Sequence, residues 1–105
     1  MSRLILGFAI LLAWASAALA QDPGDPQAGF NIAQGICSKC HGISAEPSPL
    51  PQAPRFREVA DQKGMTGTAL TVWMQTSHPT MPNIVLTKQE TLDVVAYILS
   101  LKGRE

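Results

Sequence analysis

The sequence has 105 residues, with eight basic and eight acidic side chains and a formal net charge of zero at pH 7. Without a basic excess the chain has no field that would attract a polyanion, so we expect no nucleic acid partner. A chain of this length forms one small domain, and the apolar core of so small a domain is marginal by itself.

Residues 1–20 have the pattern of a secretory signal peptide. Arg3 gives a short positive start, an apolar run occupies residues 4–15, and residues 18–20 (Ala-Leu-Ala) form a small-x-small cleavage sequence. The alternative is an uncleaved membrane anchor, because the apolar segment is at the low end of the length that spans a bilayer. We predict a signal peptide at residues 1–20, a folded domain at residues 21–105, and no stable membrane insertion after the leader is removed.

A first helix is predicted to begin at Asp25 and Pro26, because aspartate is a good N-cap and proline suits the first helical position. Apolar residues then continue towards the cysteines: Phe30, Ile32, Ala33 and Ile36. Gly29 inside this helix costs ~1 kcal/mol relative to alanine, a cost that is tolerated where another backbone must come close. The alternative is that Gly29 has no structural role.

The five residues Cys37-Ser38-Lys39-Cys40-His41 form a Cys-x-x-Cys-His motif, which is typical of c-type haem attachment. Two thiols at this spacing lie on one face of a helical turn, where both can reach the vinyl groups of a porphyrin. The following histidine can present a neutral ring nitrogen to the iron. We predict that Cys37 and Cys40 bind haem covalently and that His41 is an axial iron ligand.

Three other interpretations of the motif are possible. A thioredoxin-like redox pair requires a βαβ context that the sequence does not indicate. A structural zinc site needs four ligands, and beyond these three residues only His78 stands out. The third alternative is a plain disulfide across the short loop. Haem attachment is favoured because chance rarely places two cysteines and a histidine at these offsets in a chain with two cysteines and two histidines. A covalent porphyrin would also supply the apolar centre that so small a domain lacks.

The segment from Gly42 to Pro54 contains four prolines within eight residues and therefore cannot form a helix or a central strand. We expect an extended loop on the proximal side of the haem. A metal-bound histidine usually donates its second ring N–H to a carbonyl oxygen. A proline carbonyl in this loop, with Pro54 the first choice, is the predicted acceptor for His41.

A short second helix is predicted from Arg55 to Asp61, with Phe56, Val59 and Ala60 inward and Gly64 as its stop signal. Arg55 and Arg57 are candidates for holding the haem propionates. The alternative is that both arginines are solvated surface charges.

A third helix is predicted to begin at Thr66 or Thr68 and to carry Leu70, Trp73 and Met74. It must end before Pro79, which disfavours helical geometry in the preceding residue. The helical spacing of Trp73 from Leu70 places Trp73 in the predicted core.

The stretch His78-Pro79-Thr80-Met81-Pro82 holds the candidates for a second iron ligand. Met81 lies between two prolines, and a thioether favours reduced iron relative to a second imidazole. His78 is the rival, and residue chemistry alone does not separate the two. Met81 as an ordinary core residue is a further alternative.

The last helix is predicted to begin with a capping box, Thr87-Lys88-Gln89-Glu90. Leu92, Val95, Ala96 and Leu99 then recur with a helical period, and Gly103 is a suitable residue just beyond the C-terminus. No segment has a convincing strand pattern, so we predict an all-α fold.

From Asp25 to Lys102 the chain resembles the small bacterial class I monohaem cytochromes c. The shared features are Gly29 in the first helix, the haem motif, the pair Met81-Pro82, and the final-helix sequence Val94-Val95-Ala96-Tyr97-Ile98. The resemblance implies about four short helices around one covalent haem c, with Tyr97 packed against Gly29 where the terminal helices cross. It also implies His41 and Met81 as axial ligands. Ala33 departs from the family, which often has an aromatic residue there.

Iron with both axial positions filled has no open position for a substrate, so the predicted function is electron transfer rather than enzymatic catalysis. We therefore predict a monomeric periplasmic carrier cycling between Fe(III) and Fe(II), with the periplasm indicated by the predicted signal peptide. Its redox partners would be a donor dehydrogenase or bc-type complex and an acceptor oxidase or reductase. Two alternatives remain: an electron-transfer subunit of a specific periplasmic oxidoreductase, and a haem enzyme or gas sensor with a labile distal ligand.

Overall fold

The computed structural model describes residues 24–104. Within this range the chain forms four α-helices and no strand. They are α1 (Pro26–Gly35), α2 (Phe56–Asp61), α3 (Gly67–Gln75) and α4 (Lys88–Ser100), and a 3₁₀ turn spans Cys37–Lys39. The predicted all-α fold is therefore confirmed.

The predicted signal peptide, residues 1–20, lies outside the described residues. Within residues 24–104, none of the helices combines the length and the apolar character needed to cross a bilayer.

The helix boundaries follow from their caps. The Asp25 carboxylate accepts a hydrogen bond from the Gln27 N–H at 2.9 Å, with Pro26 at the first helical position, as predicted. Thr66, rather than Thr68, caps α3, because its hydroxyl accepts from the Ala69 N–H at 3.1 Å. α3 ends at Gln75, before Pro79.

The predicted capping box of α4 is present. The Thr87 hydroxyl accepts from the Glu90 N–H at 3.2 Å, and the Glu90 carboxylate accepts from the Thr87 N–H at 2.8 Å. Gly103 has a φ of 69° in the turn that follows the helix, and its N–H donates to Asp61 at 2.8 Å. This bond ties the end of α4 to the end of α2.

α1 crosses α4 at Gly29, as the resemblance implied. A Cβ atom on Gly29 would overlap the backbone carbonyl of Asp93 and would lie 2.9 Å from the Cβ of Tyr97. The ring of Phe30 meets the ring of Tyr97 edge-on, with centroids 5.4 Å apart. The two helices therefore approach to a distance that leaves no room for a side chain at position 29.

Two contacts near this crossing were not predicted. Gly24 lies against the backbone carbonyl of Leu92, so a Cβ would not fit there either. The buried Asp93 carboxylate accepts from the Asp25 N–H at 2.8 Å and from the Gln89 side-chain amide at 2.9 Å. Asp93 thus ties the start of α1 to α4.

α4 contacts each of the other three helices and contributes more of the buried apolar side chains than any other helix. Among the described residues the buried apolar set consists of Ala33, Ile43, Phe56, Ala60, Leu70, Val94, Val95, Tyr97, Ile98 and Leu101. The largest fully buried side chain in this set is Val94. The core is small, as expected for a short domain.

The expectation for Trp73 was wrong. Leu70, one turn earlier on α3, is buried as predicted, but the Trp73 side chain is 56 % exposed. Its ring stacks on His78, outside the interface between α3 and α4. Helical spacing from Leu70 was a poor guide because that face of α3 borders a cavity at its C-terminal end.

Candidate haem site

The Cys-x-x-Cys-His motif is folded into a compact turn that directly follows α1. The N–H groups of Cys40 and His41 both donate to the Cys37 carbonyl, at 3.1 and 2.9 Å. This turn places both thiols and the His41 imidazole on the wall of one cavity. The local geometry therefore presents all three motif side chains to the same space.

The state of the thiols argues against the other interpretations of the motif. Cys37 and Cys40 are not joined by a disulfide. Burial raises the pKa of the Cys37 thiol to about 11, whereas a redox-active cysteine requires a stabilised thiolate. Within residues 24–104, no three His, Cys, Asp or Glu side chains are grouped as a metal site. The described residues therefore give no support to a thioredoxin-like redox pair or to a structural zinc site at this motif.

The His41 ring is oriented by the predicted partner. Its Nδ1 atom lies 2.7 Å from the carbonyl oxygen of Pro54, an acceptor that requires Nδ1 to carry the proton. The lone pair is then on Nε2, the nitrogen that remains for iron. Phe56 supports the ring from one side, with centroids 5.5 Å apart.

The proline-rich loop that supplies this carbonyl is fixed to the motif by backbone hydrogen bonds. The Leu50 N–H donates to the Cys40 carbonyl at 3.1 Å, and the Phe56 N–H donates to the Gly42 carbonyl at 2.9 Å. As predicted, residues 42–54 contain neither helix nor strand. The Pro54 carbonyl is thus held by the same segment that carries His41.

The Glu46 carboxylate caps backbone N–H groups at the start of this loop, a contact that the sequence did not predict. One Glu46 oxygen accepts from the N–H groups of Ile43 and Ser44, at 2.9 and 3.2 Å. A backbone hydrogen bond within Glu46, together with those from Ile43 and Ser44, holds the pKa of this carboxyl below its usual range. A glutamate three residues after an apolar position in a turn is a weak signal, which explains why it was missed.

The cavity itself has a volume of about 360 Å³ and a predominantly apolar wall. Helices α2, α3 and α4 each contribute side chains to it, and the segment that follows α1 contributes Ile36 and the motif. Its apolar side chains include Leu50, Phe56, Val59, Leu70, Val94 and Ile98. An apolar wall that also presents two thiols and an imidazole with a free Nε2 fits a covalently held porphyrin.

Both candidates for the second iron ligand line this same cavity. Met81 is half-buried and His78 is close to it on the loop between α3 and α4. The structure thus brings Cys37, Cys40, His41 and Met81 to one cavity.

The two arginines considered for propionate binding are not part of the cavity wall. The Arg55 guanidinium is paired with the Glu58 carboxylate at 3.0 Å. The Nε atom of Arg57 is buried and has no hydrogen-bond partner among the described residues.

A short all-α domain that encloses an apolar cavity with a Cys-x-x-Cys-His turn on its wall defines a haem-binding electron-transfer class of protein. The family model described as Cytochrome c matches residues 26–102. The chain belongs to the cytochrome c family.

One similar relative is cytochrome c-552 of Bradyrhizobium diazoefficiens. It is 29 % identical to this chain over 97 residues, a match that covers 91 % of this chain and 93 % of the relative. No solved structure matches the chain. Family membership establishes covalently attached haem c as the cofactor and haem-based electron transfer as the function.

Proposed function

We propose that the chain is a periplasmic electron carrier whose haem is attached through Cys37 and Cys40 and ligated by His41 and Met81. The observation that carries this proposal is the meeting of these four side chains at one apolar cavity. Residues 1–20 would act as the signal peptide that exports the domain, residues 21–105, to the compartment where haem is attached.

Each residue has a distinct task in this proposal. The two thiols would hold the haem through thioether bonds to its vinyl groups, and the haem would supply a one-electron change between Fe(III) and Fe(II). The Pro54 carbonyl keeps the His41 proton on Nδ1, which leaves Nε2 as the ligand atom. The Met81 thioether favours the reduced iron and raises the reduction potential.

The carrier function follows from the number of ligands. When His41 and Met81 occupy both axial positions, the site has no open position at which a substrate could bind. The chain then passes electrons between other proteins, a donor dehydrogenase or bc-type complex and an acceptor oxidase or reductase. We propose that it does so as a monomer that is not inserted in the membrane.

Substitution Met81→Ala tests the ligand set. The ferric wild-type protein is expected to show the weak long-wavelength sulfur-to-iron absorption band, and the variant is expected to lack it. The variant should bind cyanide more readily because an axial position has become open. Its reduction potential should fall, and for a one-electron couple ~59 mV corresponds to a tenfold change in the equilibrium constant.

His78→Ala is the control, and its spectrum and potential should match those of the wild type. The reverse pattern, in which His78→Ala removes the native spectrum and Met81→Ala does not, would mean a bis-histidine haem. Rapid carbon monoxide binding by the reduced wild-type protein would mean an open iron and would contradict the carrier function in favour of a sensor or an enzyme.

A further inference from the structure

Two potential iron ligands lie close together on one loop. His78 and Met81 are three positions apart, and both line the cavity that holds the haem motif. An imidazole is a good ligand for haem iron, and it favours the ferric state more than a thioether does. If Met81 is the ligand, something must keep His78 from competing with it.

The structure holds the His78 imidazole against the end of α3. Its ring stacks on the indole of Trp73, with centroids 3.6 Å apart and an angle of 28° between the planes. Its Nε2 atom also lies 3.4 Å from the Thr76 hydroxyl, which donates to the Trp73 carbonyl at 3.0 Å. Both contacts are made by the end of α3, so the imidazole is docked on a helix rather than left free in the loop.

The backbone around His78 does little to fix it. No backbone–backbone hydrogen bond involves residues 77–86 of the described chain. Trp73, in contrast, belongs to α3, whose Leu70 is buried against the core. The place of the imidazole is therefore determined by the stack and by the Thr76 hydroxyl.

Trp73 lines the same cavity as the haem motif, and its aromatic contact among the described residues is the stack on His78. We propose that Trp73 is a positioning residue: by stacking on His78 it holds that imidazole off the iron and leaves the sixth position to Met81. This inference rests on the proposed function, because it assumes that Met81 is the ligand in the native protein.

The test measures how well His78 competes for the iron in a protein in which alanine replaces Met81. In ferric holoprotein with Met81→Ala, added imidazole and His78 compete for the same iron position. Trp73→Ala should free His78 and so weaken the binding of added imidazole roughly two- to tenfold, the range that corresponds to the strength of one aromatic pair. Binding is followed by the absorption spectrum at fixed neutral pH.

A double-mutant cycle separates this role from ordinary packing against the haem. With Met81→Ala and His78→Ala together, Trp73→Ala should leave imidazole affinity unchanged, since no internal competitor remains. Trp73→Phe, which keeps an aromatic face, should restore much of the affinity in the chain that retains His78. If Trp73→Ala does not yield a loaded protein, Trp73→Leu keeps apolar volume without a ring face and serves the same purpose.

Equal effects of the Trp73 substitution with and without His78 would overturn the inference, as would no effect in either background. The spectrum of the unaltered protein keeps the two proposals apart. Absence of the sulfur-to-iron band there would contradict Met81 ligation itself. Presence of the band, combined with a cycle that shows no coupling, would leave the carrier proposal standing and reject the role of Trp73.

Discussion

The hydroxyl of Tyr97 joins α4 to the loop that follows the haem motif. It donates to the Ile43 carbonyl at 2.6 Å and lies 3.2 Å from the Ser44 hydroxyl. The resemblance to cytochromes c predicted the packing of the Tyr97 ring against Gly29, but not this bond. Tyr97 and Ile43 are 54 positions apart, and no local pattern in the sequence specifies which carbonyl a buried phenol will meet.

Glu46 acts on the same loop, and its lowered pKa gives the stability of the protein a defined pH dependence. Between the folded-state pKa and the ordinary glutamate pKa of about 4.3, the unfolded chain binds more protons than the folded chain. The contribution of Glu46 is therefore fully present above about pH 4.3 and is lost as pH falls through the lowered folded-state pKa.

Glu46→Gln should remove this contribution. At neutral pH the variant should be less stable by at most about 1 kcal/mol, because the carboxylate is exposed and screened by solvent. Below pH 4 the difference from the wild type should shrink. Denaturant unfolding at pH 7 and at pH 3 measures both effects, and an equal difference at the two pH values would mean that the carboxylate does not act through its charge.

At the scale of elements, the crossing of α1 and α4 depends on a glycine that the sequence had already indicated. Gly29→Ala should lower the free energy of unfolding by ~1–3 kcal/mol, because the added methyl group must displace the Asp93 carbonyl. The midpoint of denaturant unfolding measures the loss, and the native haem spectrum at neutral pH should persist.

Gly35, in the last turn of the same helix, provides a matched control. A Cβ atom there meets nothing within 4 Å. Gly35→Ala should therefore be neutral or stabilising by up to about 1 kcal/mol, the difference in helix propensity. If both substitutions had the same effect, Gly29 would matter for propensity alone and not for the close approach of α4.

The elements that could be predicted are those with local signals. Asp25 with Pro26 and Thr87 with Glu90 specify helix starts within a few residues, and the structure contains both caps. The bond between Asp93 and the Asp25 N–H joins residues 68 positions apart, and it could not be predicted. Trp73 was assigned wrongly for a related reason: helical periodicity identifies an apolar face but not whether it meets another helix or a cavity.

In the candidate site, too, the features with local sequence signals could be predicted and those that depend on the path of the chain could not. Cys37, Cys40 and His41 were evident from the motif because one turn of chain carries all three. The acceptor for His41 was also predicted, since a proline-rich loop forms neither helix nor strand and leaves its carbonyls outside regular backbone hydrogen bonding. The stack of His78 on Trp73 was not predicted, although the two residues are close in sequence. It depends on how the chain turns after α3, which no local pattern specifies.

At the scale of the whole molecule, the apolar core of so short a domain is marginal by itself. Ten apolar side chains are buried among the described residues. The cavity lies beside this core and shares Phe56, Leu70, Val94 and Ile98 with it. A covalently attached porphyrin at this place would complete the apolar interior, so that cofactor attachment and folding become one process.

Replacing both motif cysteines with alanine tests this link. The protein with Cys37→Ala and Cys40→Ala should contain no haem that survives acid-acetone extraction, and it should show little helical signal by far-UV circular dichroism. The wild type, expressed with the c-type maturation machinery, should be red and helical. A fully helical double variant would mean that the four helices pack stably without the cofactor.

The absence of backbone hydrogen bonds in residues 77–86 bears on how the molecule moves as well as on how it is held. Segments of this kind open locally at a free-energy cost far below that of global unfolding. Under the proposed ligation, Met81 would leave the iron whenever this loop opens, while α1 and α4 stay paired. The lifetime of the bond between Met81 and the iron would then depend on the ten residues 77–86. Substitutions that stabilise the packing of the helices would leave that lifetime unchanged.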